Sequence, residues 1–272
     1  MNYYDYSTPQ PGHYVVTQSS RNIKSLAKQT LQGKWGAAIC MALLVEVIIS
    51  GPGIVLSFLG TNKLLSFLSD AYTLAVTGPA TAGLALYYLG VFRMTDAGRE
   101  QVFKPLGDKF LFVKALLVYC IMVLRIILLS FLFIIPGVIA AFKYSMAFKV
   151  LADHPDMSPQ EVLRESARIM DGNKLKYLFL QLSFWLLYIL VSIPKGISSW
   201  EAQNALGVGA SELMLNMETF NSYIEAYTSN PIIIISYVLG VILNVYVQVS
   251  ECCFYDLAAG NLIVKQSFDG VQ

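Results

Sequence analysis

Four polar side chains interrupt otherwise apolar runs: Glu46 in CMALLVEVIIS, Arg125 in VYCIMVLRIILLS, Lys143 in VIAAFKYSMAF and Asn244 in VLGVILNVYV. Ionisable groups inside apolar spans are costly and mark candidate functional sites by default. Glu46 follows Trp35 by 11 residues and Arg125 follows Lys114 by 11. At 1.5 Å per residue both lie about 16 Å into their spans, near the middle of a hydrocarbon core about 30 Å thick. Lys143, seven residues past Pro136, lies about 10 Å from the opposite edge by the same arithmetic. The spacing predicts a buried polar cluster in which Glu46 pairs with Arg125, with Lys143 and Asn244 nearby. Such a cluster serves either as a static pair that fixes helix register or as part of a polar path. Glu251 and Asp256, near the end of the last apolar run, are expected to pair with Lys149 or with the basic segment around residues 21–34 as an interface contact.

Other chemistry finds no constellation. The sequence has no HExxH, GxSxG or phosphate-binding glycine loop, and no carboxylate pair is spaced for acid–base work, so no enzyme is expected. Cys40, Cys120, Cys252 and Cys253 sit in apolar runs without CxxC spacing, and His13 and His154 lie far apart in polar segments. The cysteines read as small apolar packing residues, and neither a metal nor a cofactor is implied. A net charge of +1 gives no basic field for nucleic acid.

The elements that position these residues follow from composition. Hydrophobic residues make up 56% of the 272 and charged residues 14%, and the apolar excess lies in long runs, as in a membrane protein. The expected fold is all-α, a polytopic bundle of six transmembrane helices with amphipathic surface helices. Residues 1–19, rich in Tyr, Ser, Pro and Gln, read as a disordered tail. Residues 20–34 carry Ile23, Leu26, Ala27, Thr30 and Leu31 at helical spacing beside Arg21, Lys24, Lys28 and Lys34, which predicts a basic amphipathic helix at the membrane surface. Residues 35–260 form a single six-span domain, and 261–272 a short tail. Its spans are about 35–59, 74–94, 112–135, 136–152, 177–193 and 231–257. Gly51-Pro52-Gly53 is expected to kink or break the first, and Pro136-Gly137 to turn a tight hairpin between the third and fourth. Small residues Gly78, Ala80, Ala82, Gly83 and Ala85 should let another helix approach the second span closely. Ser158-Pro159-Gln160-Glu161 supplies an N-cap, a first-turn proline and a capping-box glutamate, so a cytoplasmic amphipathic helix is expected over 158–171. Residues 194–230 read as a long polar outer segment with a helix from Ser211.

Charge sets the orientation. Arg21, Lys24, Lys28 and Lys34 precede the first span, Arg93, Arg99, Lys104, Lys109 and Lys114 follow the second, and Arg164, Arg168, Lys174 and Lys176 follow the fourth. The other side offers Lys63, and Lys195 beside Glu201, Glu212, Glu218 and Glu225. Cationic loops stay in the cytoplasm, so both termini are expected there.

The segments IKSLAKQTLQGKWG and GPATAGLALYYL, the long block IIPGVIAAFKYSMAFKVLADHPDMSPQEVLRESARIMDGNKLKYLFLQLSF and the closing CCFYDL resemble a bacterial family of integral membrane proteins, the domain-of-unknown-function family 975. The resemblance covers most of residues 20–260. The hydropathy layout is also similar to the membrane domains attached to some glycerophosphodiester phosphodiesterases. The resemblance implies a multi-pass protein of the bacterial plasma membrane and brings no activity or catalytic residues. The expected function is a non-catalytic membrane scaffold or accessory subunit, in contact with the lipid bilayer and a membrane or cytoplasmic protein partner. The alternative is a small transporter or lipid-handling protein built on Glu46, Arg125 and Lys143.

Overall fold

The computed structural model of the chain describes residues 3–5, 14–58, 63–95, 98–207, 209 and 217–265. The fold is all-α. Helices α1 (Ser20–Leu31), α2 (Trp35–Phe58), α3 (Lys63–Phe92), α4 (Lys104–Gly107), α5 (Lys109–Leu132) and α6 (Ile134–Tyr144) come first. They are followed by α7 (Ala147–Asp153), α8 (Pro159–Ile169), α9 (Lys174–Leu206), α10 (Met217–Thr228) and α11 (Ile232–Ala259). Six stretches are long and apolar enough to cross a membrane: Trp35–Leu56, Lys63–Phe92, Lys109–Leu132, Ile134–Asp153, Lys174–Leu206 and Ile232–Ala259. The chain divides into two compact units, Met1–Leu180 with Tyr246–Gln272, and Gln181–Val245.

In the first unit α1 is capped by Ser19, whose hydroxyl accepts from the Asn22 backbone at 3.2 Å. Gly33 closes it with a φ of 76°. The apolar face of α1 does not stay free for lipid: Ile23, Leu26, Ala27, Thr30 and Leu31 are buried in the unit, and the Tyr246 hydroxyl donates to the Lys24 carbonyl at 3.0 Å. Ahead of α1, Asn173 holds residues 14–16. Its amide donates to the Tyr14 carbonyl at 2.7 Å, and its carbonyl accepts from the Val16 backbone at 2.8 Å. Strands β1 (Tyr3–Asp5) and β2 (Ile263–Lys265) pair antiparallel, Tyr4 opposite Val264. The rest of the expected tails, residues 6–13 and 266–272, lies outside the described residues.

Gly51-Pro52-Gly53 does not break α2, which stays helical to Phe58. Proline at 52 removes the donor for the Ile48 carbonyl four residues back. The Tyr72 hydroxyl of α3 supplies it instead, at 2.8 Å. The small residues of α3 do permit close approach, as expected. A Cβ on Gly78 would lie 2.8 Å from the Ala115 carbonyl of α5, and one on Gly83 would run into the Val102 carbonyl of the 3-10 turn Arg99–Val102.

The turn expected at Pro136-Gly137 lies earlier. Helix α5 ends at Leu132, Phe133 is extended (φ −160°, ψ 149°), and α6 already begins at Ile134. Pro136 falls among the first donors of α6, which have no intrahelical partner, so its missing N–H costs nothing there. Helices α5 and α6 pack together, and Gly137 makes the contact close: a Cβ would stand 2.9 Å from Ser130 Cα. Helix α8 shows the expected capping box, with Ser158 and Glu161 exchanging both bonds. It buries Val162, Leu163, Ser166 and Ile169.

The second unit corrects the reading of 194–206. Helix α9 continues through Pro194 to Leu206, where a fifth span ending near Ile193 was expected. The added turns are tied to their neighbours: Asn230 donates to Glu201 at 2.7 Å, and the Ser199 and Tyr223 hydroxyls lie 2.9 Å apart. Of the helix expected from Ser211, residues 210–216 lie outside the described residues, and α10 begins at Met217.

Candidate functional site: a buried ionic network

Charge gathers in the first unit where α3, α7 and α11 end. Arg93 follows the last turn of α3 and donates to two carboxylates at once. Nη1 and Nη2 reach Asp153 at 2.6 and 2.7 Å, while Nε and Nη2 reach Asp256 at 3.0 and 2.5 Å. The Asp256 side chain has no solvent exposure, and those of Asp153 and Arg93 have 15% and 24%. Tyr255 donates to Asp153 at 2.9 Å, and the Asn261 amide touches both carboxylates at 3.3–3.4 Å. Burial works against the guanidinium charge, but the hydrogen bonds that Arg93 donates to Asp153 and Asp256 outweigh it and hold Arg93 protonated beyond its ordinary range.

One turn deeper, Lys149 of α7 pairs with Glu251 of α11 at 2.7 Å, and Tyr177 donates to the other Glu251 oxygen at 2.8 Å. The spacing explains the ladder. Lys149 and Asp153 are four apart on α7, and Glu251 and Tyr255 are four apart on α11, so each helix shows its pair on one face. Cys252 and Cys253, between the rungs in sequence, are buried free thiols. Among the described residues no group of three or more His, Cys, Asp or Glu side chains is arranged to hold a metal.

A family model described as "Protein of unknown function (DUF975)" matches residues 121–260, just over half of the 272. The chain belongs to the DUF975 family. The match is narrower than the resemblance read from the sequence, since α1 and the small-residue stretch of α3 precede it. No curated protein and no solved structure matches the chain. The DUF975 segment holds every carboxylate of the network and Lys149, while Arg93 stands upstream of it.

The cluster anticipated from the sequence is distributed differently. Glu46 is exposed and accepts from Ser50 of its own helix at 3.2 Å. Among the described residues no ion pair joins it to Arg125. Arg125 instead reaches the Tyr144 hydroxyl at 3.4 Å, and both Arg125 and Lys143 lie 5.8 Å from the Tyr144 ring centre. Helices α5 and α6 thus bring Arg125 and Lys143 onto one aromatic ring, each within cation–π reach. Asn244 is exposed on α11. Glu251 does take Lys149, as expected, but Asp256 takes Arg93 and not the basic opening segment. Arg93 reads in the sequence as one more loop cation, and the signal that would single it out is its place directly after an apolar run, facing two separate aspartates.

Proposed function

We propose that this DUF975 protein is a non-catalytic scaffold or accessory subunit of the bacterial plasma membrane, with both termini in the cytoplasm. The Arg93 network carries the reading. Its one guanidinium spends four hydrogen bonds on Asp153 and Asp256, and the carboxylates are further occupied by Tyr255 and Asn261. Groups satisfied by one another fix helix register and leave little for a substrate. A cytoplasmic partner would meet the exposed polar side of α8, where Glu161, Arg164 and Arg168 face outward. The test is purification in mild detergent followed by native mass spectrometry of what co-purifies, for the unaltered chain and for a neutral Arg93→Met/Asp153→Asn/Asp256→Asn variant. A scaffold that remains folded keeps its stoichiometric partner in both. A folded variant that has lost its partner or a measurable activity overturns the reading.

One observation favours a second reading, a small carrier or lipid-handling protein. Arg125 and Lys143 converge on Tyr144 within apolar helices, and among the described residues neither has an acidic partner. Anion flux through vesicles holding the purified protein, abolished by Arg125→Gln in a folded chain, would establish it.

A further inference from the structure

The first two turns of α5 leave an apolar stripe uncovered at the start of a span. Phe110 is 88% exposed, Val113 52% and Leu117 45%. Their three- and four-residue spacing places them on one side of the helix. They line a cleft of about 420 Å³ together with Lys109, Lys114 and Pro159, the first residue of α8. Charge lies toward the beginning of the span, and the apolar stripe runs about 12 Å inward from Lys109 to Leu117 at 1.5 Å per residue.

Among the described residues neither lysine forms an ion pair. Asp108, beside Lys109, caps α5 by accepting from the Phe110 and Leu111 backbones at 2.9 and 3.4 Å. Glu161, near Lys114, is held by the Ser158 backbone at 2.8 Å. The Lys114 ammonium donates to the Pro155 carbonyl, which leaves two of its three N–H groups for a ligand. A ligand that fits must present an anion to two ammonium groups and a flexible apolar chain to Phe110, Val113 and Leu117.

We propose that this cleft binds an anionic phospholipid, with its phosphate on Lys109 and Lys114 and an acyl chain along Phe110, Val113 and Leu117. A zwitterionic lipid fits less well, because its headgroup cation would face the lysines. The proposal rests on α5 entering the bilayer, and the test separates the two ideas.

The full chain carrying Phe110→Trp is placed in phosphatidylcholine vesicles doped with brominated phosphatidylglycerol or brominated phosphatidylcholine. Fluorescence of the chain without this substitution is subtracted as background. Both brominated lipids should quench the new indole, phosphatidylglycerol several-fold more strongly. That preference should fall to near parity in Lys109→Gln/Lys114→Gln, which removes the attraction of both lysines to an anionic lipid, and persist in Arg21→Gln/Lys28→Gln. Equal quenching by the two lipids, or a preference that survives Lys109→Gln/Lys114→Gln, overturns the site but leaves α5 as a span. Quenching by neither overturns both. Native mass spectrometry needs no tryptophan: the unaltered chain should retain phosphatidylglycerol that Lys109→Gln/Lys114→Gln releases, and equal retention again overturns the site.

Discussion

Arg93 holds Asp153 and Asp256 together through four hydrogen bonds, so its removal leaves two largely buried carboxylates facing each other. Breaking a buried ion pair from one side costs about 3–5 kcal/mol, and the 24% exposure of Arg93 points to the lower end. Arg93→Met should therefore lower thermal stability in detergent by about 3 kcal/mol. Arg93→Lys should recover only part, because an ammonium cannot offer two paired donor edges. Adding Asp153→Asn and Asp256→Asn to Arg93→Met should restore most of the loss. Glu46→Gln, by contrast, removes only the charge from a same-helix hydrogen bond with Ser50 and should change stability by less than about 0.5 kcal/mol. At this scale the sequence was half legible. The place of Glu251 near the end of the last apolar run pointed to Lys149 as one of its two expected partners. Depth along a helix, however, says nothing about which way a side chain faces, and that is why Glu46 and Arg125 do not meet.

Helix α2 tolerates Pro52 because a neighbouring helix replaces the lost donor. Tyr72→Phe would leave the Ile48 carbonyl above Pro52 unpaired and should destabilise by about 1–3 kcal/mol. Gly51-Pro52-Gly53 reads locally as a breaker, and the residue that rescues it lies on another helix, out of reach of a local reading. Glycines separate just as sharply. Gly83→Ala drives a Cβ into the Val102 backbone, whereas Gly36→Ala meets nothing within 4 Å. The first should unfold or markedly destabilise the chain, and the second should gain roughly 0.5–1 kcal/mol from helix propensity, read in paired melts. Helix α8 responds to acid through its cap. Hydrogen bonds from the Ser158 backbone and side chain hold the Glu161 carboxyl below the usual carboxylate range. A depressed folded value stabilises above the unfolded pKa of about 4.3 and is lost as pH falls through the folded value. A spectroscopic probe on α8 should loosen in that window, and Glu161→Gln should flatten the response.

For the whole molecule, the proposed topology has six spans with both termini in the cytoplasm, and it rests on the excess of Lys and Arg in the loops of one side. Reporter fusions after residue 1 and residue 272 should both be active with a cytoplasmic reporter and silent with an exported one; opposite results at the two ends would remove the six-span topology. The spans were legible because a bilayer requires about 20 apolar residues wherever a helix crosses. The long α9 was not, since its turns beyond Pro194 are polar and depend on partners in α10 and in the loop that follows it.

The Arg93 network also imposes a schedule on biosynthesis. Asp153 is made 60 residues after Arg93, and Asp256 163 residues after it. At about 5–20 residues per second, the second carboxylate emerges roughly 8–30 s later. Throughout that interval Arg93 lacks one of its two anions, and Lys149 waits 102 residues for Glu251. A nascent chain stalled before α11 therefore carries two incompletely neutralised cations, Arg93 and Lys149. Pulse-labelled chains truncated before Ile232 should turn over faster than the full chain, and Arg93→Met should narrow the gap by bringing the lifetime of the full chain down toward theirs.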